Sequence, residues 1–376
     1  MYRKIYLGIL LVLAFCNVVN AQFDYQNADS ITRAQYASGE WKKLLNYGKT
    51  AIANGEDFPS LRLRLADAAF NLGAYSLALK HYENVLKNDR FQQQALLYSI
   101  LSNSYINRTL DASSLTKNLT EKRINDRVQK PFQLNTIGIE NSFKSTNVNE
   151  RGASTYTRLH AQVQLIENLH IDQSAFFFNQ AVFTDQIKLG GYYIKLSYMP
   201  IKSLTILGAY NYNKSSNLLS SYTNQTGLVG ARYSHPYFTL QGDVNFSRLN
   251  DQNIRQINAQ LFTNISGNLN LYLINRLSVL NSNTVYAGTI GAKLVKNLWA
   301  EASGTFGLQQ NYTEADGLYQ FNGIDNTTKK YAGNAYFLIK KHLLLSIGYS
   351  LEEKESTTLS INYSQYAINT GIKWNF

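Results

Sequence analysis

The stretch Tyr366–Phe376, YAINTGIKWNF, decides how the chain reads. Tyr366, Ile368, Thr370, Ile372, Trp374 and Phe376 alternate with Ala367, Asn369, Gly371, Lys373 and Asn375. Successive side chains of a strand point to opposite faces, so this segment has one apolar and one polar face. The same period runs backward through the chain. Phe238, Leu240, Gly242, Val244 and Phe246 oppose Thr239, Gln241, Asp243, Asn245 and Ser247. Ile257, Ala259, Leu261, Thr263 and Ile265 oppose Gln256, Asn258, Gln260 and Asn264.

Fourteen such segments fall after Pro131, near 133–145, 153–165, 169–183, 186–199, 203–213, 223–235, 237–248, 254–266, 268–280, 284–296, 298–311, 328–340, 342–354 and 361–376. Strands of soluble sandwiches average about 5–6 residues, whereas a tilted strand needs about 9–11 to cross a bilayer. The polar face is rich in Asn, Gln, Ser, Thr and Gly, which suits a wet interior, and the apolar face suits lipid. Tyr192, Tyr198, Trp299, Tyr331, Trp374 and Phe376 are placed for interfacial girdles. Tight turns at 167–169, 201–204, 234–236, 266–269, 296–298 and 340–343 alternate with longer connections at 214–222, 249–255, 311–328 and 355–359, expected on the outer side. Two thirds of the chain therefore reads as an antiparallel transmembrane β-barrel of about 14 strands with both ends on the periplasmic side.

The last strand, closing on Ile372, Trp374 and Phe376, resembles the C-terminal strand of bacterial outer-membrane proteins. That resemblance implies that these residues form the signal read by the barrel-assembly machinery.

Before Pro131 the period changes. Leu61, Leu65, Ala68, Ala69 and Leu72 recur at helical spacing, as do Ala74, Leu77, Ala78, Tyr82, Val85 and Leu86. A shift of 34 residues aligns Tyr36 with Phe70, Gly39 with Gly73, Trp41 with Tyr75, and Ile52 with Leu86. The period and the glycine-then-aromatic corner resemble tetratricopeptide repeats, with a partial third unit over 92–107. The resemblance implies that Gly39, Trp41, Gly73 and Tyr75 are repeat-packing positions. A helical-repeat domain followed by a barrel resembles YaiO-type outer-membrane proteins and, with fewer repeats, exopolysaccharide export porins.

Residues 1–21 read as a secretory leader: Arg3 and Lys4, an apolar run from Ile5 to Phe15, and the small-x-small site Val19-Asn20-Ala21. The expected organisation is thus an α+β membrane protein: leader 1–21, a periplasmic helical TPR-like domain 22–131, and an outer-membrane β-barrel 132–376. One Cys excludes a disulfide framework. Five His without metal-ligand spacing, and no Gly-rich phosphate loop, point to no metal and no cofactor.

The net charge is +11, spread over leader, helices and strands rather than clustered, so nucleic acid is not an expected partner. Strand phase turns Arg158, Lys195, Arg232, Arg276, Lys293 and Lys373 inward, with Glu140, Asp243 and Glu301 as inward acids. Such a lumen is either a stabilising network or a pore with mild anion preference. His160 shares the inward phase beside Arg158, while His170, His235 and His342 fall at the tight-turn end. None has a Ser and an acid at motif spacing, so no catalysis is expected, and a hydrolase or acyltransferase is a distant alternative. His81, beside Tyr82, reads as solvent-exposed. The function expected first is partner recruitment or envelope assembly through the helical domain, with outer-membrane lipid, the barrel-assembly machinery and a periplasmic protein as partners. The alternative is a passive or gated conduit for an anionic solute or an exported polysaccharide.

Overall fold

The computed structural model describes residues 25–120 and 133–376, apart from positions 219, 282, 341 and 357. The leader at 1–21 and the domain boundary at 131/132 lie outside the described residues.

Six helices come first: α1 over 25–37, α2 Trp41–Ala53, α3 Pro59–Asn71, α4 Tyr75–Asn88, α5 Gln93–Tyr105 and α6 Thr109–Leu115. Gly39 and Gly73 follow α1 and α3 at φ +70° and +74°, the left-handed position that ends a helix at little cost only for glycine. The corners beyond them match. The Tyr36 and Trp41 rings meet edge-on at 5.5 Å, and those of Phe70 and Tyr75 at 5.4 Å. The 34-residue period is therefore visible as geometry. Two apolar clusters, around Leu44, Leu61 and Leu65 and around Ala69, Tyr82 and Val85, hold the helices together. Between them sits a buried carboxylate, Asp67 of α3. It accepts hydrogen bonds from Tyr36 of α1 (2.8 Å), Tyr82 of α4 (2.5 Å) and Gln94 of α5 (2.7 Å). Burial pushes its pKa up against those three donors. His81, expected in solvent, is instead 8% exposed. Its Nδ1 lies 3.1 Å from Arg62, and burial drives its pKa down to about 4. Helical phase explains the difference: His81 follows buried Ala78 by three residues and precedes buried Val85 by four.

The strands follow: β1 Gln133–Thr146, β2 Arg151–Ile166, β3 Leu169–Val182, β4 Asp185–Ile201, β5 Leu204–Ser216, β6 Ser221–Ser234, β7 Phe238–Leu249, β8 Gln252–Asn264, β9 Leu271–Leu280, β10 Asn283–Val295 and β11 Leu298–Phe306. A short hairpin, β12 Tyr312–Glu314 and β13 Tyr319–Phe321, precedes β14 Asn326–Ile339, β15 Leu343–Ser356 and β16 Ile361–Asn375. All but the hairpin strands form one closed antiparallel barrel of fourteen strands. β1 pairs with β16, setting Ile139 opposite Ile372 and Gly138 opposite Lys373. Closure leaves no sheet edge, and the ladders pair the spanning backbone within the wall except at register shifts such as those at Leu134/Thr136 and Tyr198/Ile201.

Ile137, Phe143, Leu159, Val229, Phe246 and Ile368 are about half exposed on the outside. Asn211, Asn224, Gln241, Asn245, Gln256 and Asn258 are buried on the inside. Among the described residues no helix is long and apolar enough to cross a membrane. The strands supply the apolar surface.

Three expectations about the barrel are corrected. Connections at 249–255 and 214–222 are not long, because the strands run further than their apolar cores suggest. β7 and β8 are joined by Asn250 and Asp251 alone, both at positive φ, which Asn and Asp tolerate in a tight hairpin. Trp299 is not on the lipid face: it pairs in register with Lys293 and Tyr336 and shares the inward phase of Glu301. Lys293 Nζ lies 5.1 Å from its ring centroid, a cation–π contact. The 311–328 connection is not external. It folds into the barrel.

The helices sit on the end carrying the turns at 202–203, 235–237 and 265–270, hereafter the near end. Ser76 at the start of α4 donates its N–H to Gly267 O (2.8 Å) and its hydroxyl to Pro236 O (2.6 Å). Asn268 donates to Gly73 O at 2.9 Å. Arg108 donates to Ser203 Oγ and Ser234 O, both at 3.0 Å, while Asp111 of α6 accepts from Arg108 at 2.9 Å and from the Ser203 N–H at 3.2 Å. Ser113 of α6 reaches Gln164 on the inner face of β2.

Candidate functional site in the barrel lumen

The site begins at Gly307, where the chain leaves β11. Its φ is +109°, and a Cβ there would stand 2.3 Å from Thr284 O of β10. Only glycine fits so close to the neighbouring backbone, and the chain can then turn inward. Gln309 N–H donates to Thr327 O at 2.8 Å, pinning the descending arm. At the bottom Ala315, Asp316 and Gly317 all take positive φ, forming the tip between β12 and β13.

The hairpin is seated on polar side chains of β5 to β8. Asn211 donates to Gly317 O (3.0 Å) and Leu318 O (2.7 Å). Asn213 donates to Gln320 Oε1 at 2.7 Å, and Gln320 donates to Thr226 Oγ1 at 3.0 Å. Gln256 donates to Thr313 O at 2.8 Å and accepts from the Thr313 N–H at 2.9 Å; Asn245 also donates to Thr313 Oγ1. These residues read as generic lumen polarity in the sequence. In the structure they form a template that satisfies the backbone of an inserted segment, which would otherwise be costly to bury.

Apolar and charged contacts complete the fit. Tyr312 is fully buried against Leu280 and Val285. Leu318 packs with Phe176 and Tyr193. Tyr319 crosses toward β1 and β2, its hydroxyl 3.4 Å from Glu140 Oε2 and its ring 5.9 Å from the Arg158 guanidinium. Glu314 pairs with Lys330 of β14 at 3.0 Å. At the far rim Arg151 donates to both Asp325 oxygens (2.5 and 3.0 Å), and Tyr363 donates to the same carboxylate at 2.7 Å. A cavity of 1070 Å³ remains between hairpin and wall, lined by Ser154, Gln180, Lys354 and Tyr363 on the wall and by Leu318, Tyr319 and Phe321 on the hairpin.

The six inward cations have separate fates. Arg158 forms a two-pronged pair with Glu140 at 2.6 and 3.1 Å. Lys293 lies over Trp299. Lys373 sits on β16 between Gly138 and Leu344 in register. Lys195, Arg232 and Arg276 converge on the tip. Asp316 Oδ2 is 3.4 Å from Lys195 and 3.8 Å from Arg232; its Oδ1 is 3.8 Å from Arg276 and accepts from Gln241 at 2.8 Å. Asp316 was invisible as a site residue because it belongs to a connection. The available signal was that connection's length, together with Tyr312, Leu318, Tyr319 and Phe321 in it: long ordered loops usually have a function.

Ile372 and Trp374 lie on the outer face, and Phe376 donates its N–H to Asn135 O at 3.0 Å. Among the described residues no group of three or more His, Cys, Asp or Glu could hold a metal ion.

No protein-family profile matches the chain, and no curated protein does. Solved structures do. The outer membrane protein Omp33 of Acinetobacter baumannii is similar at 9% identity, over 65% of this chain and 99% of that one, with a TM-score of 0.42. The toluene transporter TodX of Pseudomonas putida is similar at 10% identity, over 64% and 89%, with a TM-score of 0.45. A FadL homologue of Pseudomonas aeruginosa is similar at 9% identity, over 73% and 94%, with a TM-score of 0.46. The structural neighbours are bacterial outer-membrane proteins, channels among them. The likeness extends to barrel architecture, and no family match accompanies the tetratricopeptide and YaiO-type resemblances.

Proposed function

We propose that this protein is an outer-membrane conduit for a polar solute, held shut by its own lumen hairpin. The observation that carries this reading is the hairpin itself. It is seated on a polar wall by hydrogen bonds from Asn211, Asn213 and Gln256, which water can replace once the whole hairpin leaves, and a cavity of 1070 Å³ lies beside it. Residues 1–21 act as the export leader, the near end faces the periplasm, and the helical domain is a TPR-like cap over that mouth. The last strand is the barrel-assembly signal. Recruitment of a periplasmic partner becomes secondary, because the corner bearing Gly73, Tyr75 and Ser76 is already committed to the barrel.

The test is liposome swelling with neutral sugars, comparing the full chain with a variant in which residues 308–324 are replaced by a short Gly-Ser linker. The variant should admit small sugars rapidly and the full chain slowly. Equal, negligible swelling by both, with heat-modifiable electrophoretic mobility proving that both barrels are folded, would refute the conduit reading.

A further inference from the structure

Lys195, Arg232, Arg276 and Gln241 come from four different strands, β4, β6, β9 and β7, and point at one place in the lumen. What fills that place is not wall but the tip of the inserted hairpin. Its immediate charges are three cations and three carboxylates. Lys195 also pairs with Asp172 at 3.5 Å, and Arg276 with Asp243 at 3.4 Å. Arg232 has Gln241 and Asp316, and Asp316 is the one carboxylate within ion-pair reach of it among the described residues. With Asp316 in place the group is balanced. With Asp316 withdrawn it carries one uncompensated positive charge, and Gln241 loses an acceptor.

We propose that this is a binding site for a solute carboxylate, and that Asp316 occupies it as an internal stand-in. This rests on the conduit reading and adds the class of solute and the point of competition. The Asp316 carboxylate is held by one amide donor and three cations at 3.4–3.8 Å, longer than the 2.6 Å of the Arg158–Glu140 pair. Loose, multi-centre coordination is what an exchangeable ligand needs, since binding must be weak enough to leave. The wall retains Asp172 and Asp243, so the vacated site has room electrostatically for one negative charge. A singly charged solute replaces Asp316 without leaving excess charge of either sign. The neighbouring Asn211 and Tyr193, which bond the tip backbone, offer hydrogen bonds to hydroxyls attached to that carboxylate. A sugar acid has both features.

The probe is D-glucuronate, with D-glucose as its neutral counterpart, and binding to the detergent-solubilised full chain is read by equilibrium dialysis. Asp316→Asn should bind glucuronate about tenfold tighter than the unaltered chain, equivalent to about 1.4 kcal/mol, and glucose no better. Adding Arg232→Gln to Asp316→Asn should remove the gain. Heat-modifiable mobility confirms folding of each variant. A second readout needs no substitution: amide hydrogen exchange over 308–324 in the unaltered chain should accelerate with glucuronate and not with glucose. Glucuronate binding unchanged by Asp316→Asn, or a gain that survives Arg232→Gln, or exchange indifferent to glucuronate, would overturn the site. Binding is read without any flux. A linker variant that swells liposomes but, in equilibrium dialysis, binds glucuronate no better than glucose therefore refutes the carboxylate site alone, whereas a folded variant that does not swell them refutes the conduit.

Discussion

At the scale of single residues, the two faces of β16 make opposite demands. Ile372 is 52% exposed on the outer surface, and Lys373 lies inward between Gly138 and Leu344. Ile372→Asp should sharply reduce insertion, since a charge at the bilayer midplane costs roughly 2–4 kcal/mol for Arg or Lys and less for Asp. Lys373→Gln should insert nearly as well as the unaltered chain, measured as heat-modifiable barrel in outer membranes. His81 is a second residue whose environment sets a measurable property. Its folded pKa lies near 4 because burial opposes the charged ring, with Arg62 and Lys80 adding repulsion. The unfolded ring titrates near 6.5, so as pH falls the unfolded state takes up the proton first. The fold therefore has its full stability from this group above about pH 6.5 and loses up to about 3 kcal/mol on the way to pH 4. Asp67 and Asp111, whose pKa values burial raises, act in the opposite sense. His81→Gln should flatten the loss of helical stability between pH 6.5 and 4, followed by thermal unfolding of the far-UV signal. The sequence placed His81 correctly on a helix. It could not show that α3 supplies Arg62 and covers that face.

At the scale of elements, the strands were legible because each repeats the same two-residue period over its length. Fourteen segments read from the alternation correspond to fourteen barrel strands. The glycine-aromatic corners were legible as well, since Gly39 and Gly73 recur at a fixed spacing for a backbone reason. The hairpin was not. Its strands, Tyr312–Glu314 and Tyr319–Phe321, are too short to establish a period, and its seat is made of Asn and Gln that look alike on every inward face. What fixes its entry is one residue. Gly307→Val would place a branched side chain at positive φ against the β10 backbone, a strain on the order of 1–3 kcal/mol before the clash with Thr284 O is counted. The expected outcome is a folded barrel with a released hairpin, detected as new chymotrypsin cleavage after Tyr312, Tyr319 or Phe321. Resistance equal to that of the unaltered chain would show that the hairpin enters without Gly307.

At the scale of the whole molecule, two different elements sit on and in the barrel, and in the proposed reading both stopper it. The helical cap meets the near end through Ser76, Arg108 and Asp111, a contact made with turn residues whose sequence signalled only tightness. The hairpin fills the middle and is tied at the far rim by Arg151 and Asp325. The helices are held there by hydrogen bonds and ion pairs, and the hairpin by buried hydrogen bonds together with the packing of Tyr312 and Leu318; the polar contacts of each exchange for water only where the whole element lifts away. The closed state is thus separable from the stability of the wall, whose closed ladder of backbone bonds does not depend on it. Single-channel recording in a planar bilayer tests this most directly, with the full chain and the 308–324 linker variant measured side by side. The full chain should rest closed with brief openings, and the linker variant should conduct steadily at the open level. A full chain that conducts steadily at the same level as the linker variant would contradict the claim that the hairpin closes the lumen.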